Sequence, residues 1–120
     1  MMHVEDIREY CLGKKGVLES FPFGDATLVF KVGEKLFLLI NLVGQAQFNA
    51  KCDPERSIEL QEEYEEIKPG FHMNKKHWIT VSLEGRLSNK MILEIIDHSY
   101  SLVFESLPKK SREEILSINF

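Results

Sequence analysis

The sequence has only two cysteines, Cys11 and Cys52, and no Cys-x-x-Cys pair. So few thiols exclude a disulfide-rich scaffold and the common zinc ribbons. A long hydrophobic run is also lacking, because the longest, residues 36–42, is interrupted by Asn41 and falls far short of the ~20 residues of a membrane helix. Basic residues are not in excess, since the formal net charge is -4. Nucleic-acid binding would therefore require a local basic patch.

The start of the chain has little hydrophobic character, since it turns acidic at Glu5 and Asp6 and shows no apolar leader. We therefore expect a cytoplasmic protein with reduced thiols. At 120 residues, 43% of them hydrophobic, the chain matches one domain over 1–120, with a short helical tail from about 111 to 120. We expect no cofactor, no membrane contact, and a monomer or weak dimer.

Periodic apolar residues predict an α+β fold. Helical spacing predicts helices at about residues 4–13, 54–66 and 88–106. Alternating or β-rich runs predict strands at about residues 27–32, 35–42, 46–52 and 78–83. This order favours a two-layer sandwich in which helices cover one face of an antiparallel sheet. The strand at 35–42 is expected to be central, because it is apolar on both faces.

The stretch KPGFHMNKKHW, residues 68–78, contains three lysines, two histidines and the only tryptophan. If Ile79 faces the helices, Trp78 faces the helix-free side of the sheet. Two interpretations stay open. An exposed Trp78 could stack on a nucleic-acid base, or the apolar tail with Ile115 and Phe120 could cover it.

Basic residues are concentrated in two places. Residues 68–78 hold three lysines and no acid, whereas residues 53–67 hold seven acids against Arg56 alone. A second basic cluster follows the last long helix and consists of Lys109, Lys110 and Arg112. If the two clusters meet in the fold, they form a patch able to make weak, salt-sensitive contacts to phosphates. If they do not meet, they are solvated loops.

Metal ligation and catalysis have weak support in the sequence. His72 and His77 are five residues apart, so an extended chain points them to opposite faces. Cys52 lies on the apolar side of its strand, which predicts a buried and unreactive thiol. No P-loop, nucleophile elbow or dinucleotide fingerprint is found. We therefore predict a protein that is not an enzyme.

Six motifs in matching order resemble the YjbR/MmcQ-like family of small bacterial proteins. They are FPFGD (21–25), VFKVGEKLF (29–37), KCDPE (51–55), PGFHMNKKHW (69–78), SYSLV (99–103) and LPKK (107–110). The resemblance implies the order α-β-β-β-α-β-β-α and a fold like those of type III secretion chaperones and CyaY-like (frataxin-like) proteins. It also implies DNA binding with a double-wing arrangement. Phe71 departs from the family, which often has a tyrosine there.

Seven positions match the family motifs closely enough to be candidates for ligand contact. They are Lys51, His72, Asn74, Lys75, Lys76, His77 and Trp78. The first functional hypothesis is a DNA-binding protein whose two basic clusters contact phosphates. The alternative is a protein-interaction or chaperone-like module that uses the helix-free face or a strand edge. A small-molecule enzyme would need a pocket with converging polar groups.

Overall fold

The computed structural model describes residues 2–118, which form four helices and six strands. The helices are α1 (Val4–Leu12), α2 (Pro54–Glu63), α3 (Asn89–Glu105) and α4 (Lys109–Leu116). The strands are β1 (Val17–Ser20), β2 (Thr27–Val32), β3 (Lys35–Asn41), β4 (Gln47–Lys51), β5 (Ile67–Pro69) and β6 (Trp78–Ser82). None of these helices combines the length and hydrophobicity needed to cross a bilayer.

All six strands form one antiparallel sheet in the order β1-β2-β3-β4-β6-β5. The predicted α+β class and order of elements are confirmed, and the structure adds β1 at one edge. Sequence analysis missed β1 because it has only four residues and its Leu18 is exposed. The strand predicted to be central is β3, which lies between β2 and β4 and is buried on both faces from Leu38 to Ile40.

Helices α2 and α3 begin where their capping residues predict. Asp53 is the N-cap of α2 and its carboxylate accepts a hydrogen bond from the Arg56 backbone N–H at 3.1 Å. Ser88 is the N-cap of α3 and its hydroxyl accepts a hydrogen bond from the Met91 backbone N–H at 3.1 Å. α2 ends at Glu63, three residues earlier than predicted, because the chain turns extended at Tyr64 to enter β5.

The β2–β3 hairpin turns at Gly33 and Glu34, whose φ angles are 55° and 70°. Positive φ at both central positions is the signature of a type I′ turn, which matches the twist of the flanking strands. A side chain at Gly33 would also collide with Leu107, because an added Cβ would lie 2.6 Å from a Leu107 methyl carbon. The hairpin therefore fixes the position of the segment that joins α3 to α4.

The main hydrophobic core lies between the sheet and the helices. It contains Ile7 of α1, Phe48 of β4, Ile96 of α3 and Ile115 of α4, and the first three are fully buried. The predicted tail is helical from Lys109 to Leu116. Its last two residues, 119 and 120, lie outside the described part of the chain.

Candidate functional site

The helix-free face of the sheet is built by alternate residues of its strands, as the alternation predicts. Trp78 lies opposite Lys51, and Thr80 lies opposite Asn49, in the antiparallel pairing of β4 with β6. Side chains that lie opposite each other point to the same face. The prediction that Trp78 faces the helix-free side of the sheet is therefore confirmed.

Trp78 is buried, with 9% of its surface exposed. It forms a small cluster with Val29 and Leu39, and Met73 packs against this cluster. The predicted cover was the C-terminal tail, but Ile115 packs into the core on the other side of the sheet, and Phe120 lies outside the described residues. Since Met73 belongs to the segment 70–77 between β5 and β6, that segment provides the cover and an indole held there cannot stack on a base.

Two buried polar side chains hold this segment, named here the 70–77 loop, against the sheet. The Thr80 hydroxyl donates to Oδ1 of Asn49 at 2.5 Å and accepts from the Phe71 backbone N–H at 2.8 Å. Nδ2 of Asn49 donates to the Phe71 carbonyl oxygen at 3.2 Å. Both side chains are 7% exposed, so these bonds satisfy groups that burial would otherwise leave unpaired.

The conformation of the 70–77 loop explains why particular residue types stand at several positions of the motif. An added Cβ at Gly70 would lie 2.7 Å from Cβ of Trp78, so only glycine fits this approach. Oδ1 of Asn74 accepts a hydrogen bond from the Lys76 backbone N–H at 2.9 Å, which closes a local turn. His72 has a φ of 60°, a left-handed conformation that is uncommon outside glycine. The motif therefore specifies the shape of the loop.

An open groove of about 440 Å³ lies between this loop and the sheet. Its lining residues come from the β1–β2 connection, three strands and the loop: Phe23, Thr27, Leu39, Asn41, Asn49, Phe71, His72 and Met73. Phe23 and Phe71 are 68% and 55% exposed, and the His72 ring lies 4.1 Å from the Phe71 ring between centroids. The groove combines aromatic surface with amide and hydroxyl groups.

The charged residues of the strands that point to the helix-free side are lysines. Lys31, Lys51 and Lys68 lie on this face of their strands, because they stand opposite Leu18, Trp78 and Thr80. Lys75 and Lys76 follow in the 70–77 loop, where both are exposed. Within residues 2–118, none of these five lysines forms an ion pair.

Acidic residues are nearly absent from the sheet. The only one in the six strands is Glu19, which stands opposite the core residue Phe30 and therefore faces the helices. Its carboxylate forms an ion pair with Arg8 of α1, and that pairing holds the pKa of Glu19 below its usual value. The helix-free face of the sheet is therefore positively charged.

The second basic cluster lies in the helical layer. Lys109, Lys110 and Arg112 belong to α4, whose Ile115 packs into the core on the helix side. Lys109 pairs with Glu113 at 3.9 Å, and Arg112 pairs with Glu105 at 3.5 Å. The 70–77 loop packs on the opposite face through Met73, so the structure does not join the two clusters into one patch.

The structure places Cys52 beside one loop histidine, because the Cys52 backbone N–H bonds to the His77 carbonyl oxygen at 2.8 Å. Burial raises the pKa of the Cys52 thiol to about 11 and that of Cys11 to about 12, so both thiols stay protonated at neutral pH. His72 and His77 are exposed in the loop. In the described residues, no three His, Cys, Asp or Glu side chains are grouped to hold a metal ion.

Sequence analysis missed the residues that shape the groove. It used residues 21–25 only as a family motif, although the two phenylalanines in this segment could have indicated exposed aromatic surface. Asn49 was not among the predicted site residues, because the alternation of β4 does not show that the 70–77 loop buries this side chain. Asn41 pairs with Gln47 of β4 in the structure, but the apolar run around Asn41 gave no alternation that could assign its face from the sequence.

This architecture defines a two-layer α+β protein with one helix-free sheet face. The family model YjbR matches residues 12–102, so the chain belongs to the YjbR family. It is 41% identical over 96 residues to the uncharacterized protein YbdF of Escherichia coli O157:H7, covering 79% of each chain. It is 28% identical to the uncharacterized protein YjbR of Escherichia coli strain K12, covering 98% of this chain and 100% of the relative.

A solved structure shows the same fold. The crystal structure of Deinococcus radiodurans protein DR2400, domain DUF419, superposes with a TM-score of 0.90 at 38% identity. The alignment covers 96% of this chain and 88% of the other. The resemblance seen in the sequence motifs is therefore confirmed at the level of family and fold.

Proposed function

We propose that this protein binds DNA through the helix-free face of its sheet and is not an enzyme. The observation that supports this best is the distribution of charge. Five lysines without ion-pair partners in residues 2–118 lie on this face or in the loop that covers it. Cations that are not neutralised by the protein are free to replace counterions along a phosphate backbone.

The largest group of acidic residues lies away from this face. The seven acids of residues 53–67 lie in α2, its cap and the segment after it, and α2 packs beside β5 on the helix side through Leu60. A chain with a net charge of -4 therefore presents a positive surface locally. The double-wing arrangement stays a prediction of the family resemblance, since likeness of fold is weak support for a shared function.

The site residues predicted from sequence have different weights in this proposal. Lys51, Lys75 and Lys76 contribute charge, and exposed His72 and His77 can add contacts. Asn74 and Trp78 shape and anchor the loop. Lys109, Lys110 and Arg112 lie in the helical layer, so we assign them no part in DNA contact.

The test compares charge removal on the two sides of the sheet. Lys68→Ala/Lys76→Ala removes two ammonium groups that bond to nothing else in residues 2–118. Lys109→Ala/Lys110→Ala is the matched control, because it removes the same charge from α4. We expect weaker binding only for the first variant, with a salt slope reduced by roughly 1 to 2 between about 50 and about 200 mM salt. Equal effects, or no binding by the wild type at low salt, would end the proposal.

A protein-interaction module is the second candidate, favoured by exposed apolar residues beside the groove. Leu42 and Val43 are 43% and 73% exposed, and the Leu42 N–H bonds to the Ala26 carbonyl oxygen at 2.9 Å. This bond places the β3–β4 connection next to the β1–β2 connection that carries Phe23. A partner that copurifies with the wild type but not with Val43→Ser would favour this candidate over DNA.

A further inference from the structure

In the part of the chain that the structure describes, the groove lined by Phe23 and Phe71 contains no lysine, so phosphate contact does not account for it. Phosphate contact needs cations, but this groove has two exposed phenyl rings and a floor that includes Thr27, Leu39 and Asn41. Within residues 2–118, the side chains of Thr27 and Asn41 make no hydrogen bond. They are therefore available to a ligand that has both an aromatic face and polar edges.

Asn49 lines the same groove, but its side chain already forms hydrogen bonds with the Thr80 hydroxyl and the Phe71 carbonyl oxygen. Asn49 holds the Phe71 carbonyl oxygen and Thr80 holds the Phe71 N–H, so together they fix the backbone on both sides of the Phe71 Cα. The ring of Phe71 is therefore presented by a braced segment, although the side chain itself is exposed. A braced aromatic ring loses little entropy when a flat ligand stacks on it.

The groove adjoins a positive charge. A second, smaller groove of about 270 Å³ is lined by Lys68, Gln47, Thr80 and Phe71 among others. Phe71 lines both grooves, so a flat ring at Phe71 and an anion at Lys68 lie on neighbouring sites. An aromatic ring linked to a phosphate is the repeating unit of a nucleic acid.

We infer that this groove holds an unpaired DNA base, so that the helix-free face binds single-stranded DNA in preference to duplex. The inference rests on the proposed function and specifies its substrate. Stacking on Phe71 and Phe23 supplies binding that tolerates different bases, because every base has a flat aromatic face. Asn41 and Thr27 meet the polar edge of the base, and Lys68 meets a neighbouring phosphate. In a duplex the bases are stacked and paired, so none can enter the groove without unpairing.

The experiment uses two probes with equal charge. One is a single-stranded thymidine oligomer of about 12 nucleotides, and the other is an abasic oligomer of the same length. The wild type is expected to bind the thymidine oligomer about tenfold more tightly, the effect of one or two stacked bases. Phe23→Ala/Phe71→Ala should bring this ratio close to one, whereas Lys68→Ala/Lys76→Ala should weaken binding of both probes and keep the ratio. Asn41→Ala is a second groove variant, expected to lower the ratio by a smaller factor.

The outcomes separate the inference from the proposed function. If the wild type binds both probes equally, or the phenylalanine variant keeps the full ratio, the base-binding groove is wrong while DNA binding by the lysines survives. If duplex binds as tightly as the thymidine oligomer, the preference for single strands is wrong. If no probe binds at about 50 mM salt, both ideas fail. Circular dichroism of each variant checks that the fold is intact.

Discussion

The two faces of the sheet bury apolar side chains by different means. On one face, α1, α3 and α4 cover an extensive core that includes Phe30, Phe37 and Phe48, all with no exposed surface. On the other face, three buried residues, Val29, Leu39 and Trp78, are covered by the 70–77 loop. Helices satisfy their own backbone groups, but a loop must be held by side chains. Asn49 and Thr80 do this here.

The comparison also separates stability from function. The helix-covered face has the greater part of the buried hydrophobic surface, and its layer includes the acidic α2 and the ion pairs of α1, α3 and α4. The helix-free face has lysines without an ion-pair partner in the described part of the chain, together with exposed aromatic rings and an open groove. Substitutions on the first face should change stability, and substitutions on the second should change binding.

The largest expected loss of stability is for a substitution on the helix-covered face. Phe48→Ala leaves a cavity in the main core and should lower the free energy of unfolding by about 3–5 kcal/mol. Urea unfolding followed by circular dichroism measures this loss. A loss below about 1 kcal/mol would show that the helix side does not dominate stability.

Next in size is the loss of the bonds that hold the loop. Thr80→Val keeps the side-chain shape but leaves the Phe71 N–H and Oδ1 of Asn49 without partners, so we expect a loss of about 1–3 kcal/mol. Fluorescence of Trp78, the only tryptophan, should shift to the red as its cover loosens. Ser82→Ala, two residues along the same face, is the control. Equal effects of the two substitutions would show that the hydrogen bonds do not hold the loop.

A smaller change in stability is expected when the pH is lowered. Burial, with repulsion from Arg56, lowers the pKa of His98 below its usual 6.5, and Nε2 of His98 accepts the Asp53 backbone N–H at 3.1 Å. The unfolded chain therefore binds more protons than the folded one just below pH 6.5. Stability should be complete above that pH and fall as pH decreases through the lowered value.

Urea unfolding at several pH values between 5 and 7 tests this, with His98→Gln as the comparison. Glu19 and Glu66 also have lowered pKa values, but they titrate below 4.5 and stay outside this window. The wild type should lose stability on acidification while the variant loses less. Identical pH profiles would show that His98 does not contribute.

The smallest expected change in stability is for an exposed phenylalanine on the helix-free side. Phe23→Ala removes the same kind of ring as Phe48→Ala, but from a side chain that is 68% exposed. We expect a stability change below about 0.5 kcal/mol, measured in the same urea experiment. A loss like that of Phe48→Ala would mean that the ring packs within the fold and is not available to a ligand.

Sequence periodicity predicted the order of helices and strands because each buried face repeats every 2 or 3.6 residues. The same alternation placed Trp78 on the helix-free face. It could not predict what covers Trp78, because the loop depends on bonds between Asn49 and Thr80, 31 residues apart, and on the left-handed backbone of His72. The groove was missed for a similar reason. Phe23 and Phe71 lie 48 positions apart and meet only in the folded sheet.

The most direct test of the helix-free face is to follow backbone amide NMR signals as a single-stranded thymidine oligomer is added at about 50 mM salt. The largest changes should occur in residues 23–27, at Asn41 and Asn49, and in residues 68–77, with α2 and α4 unchanged. Changes concentrated in α4, or no changes at all, would contradict DNA binding by the helix-free face.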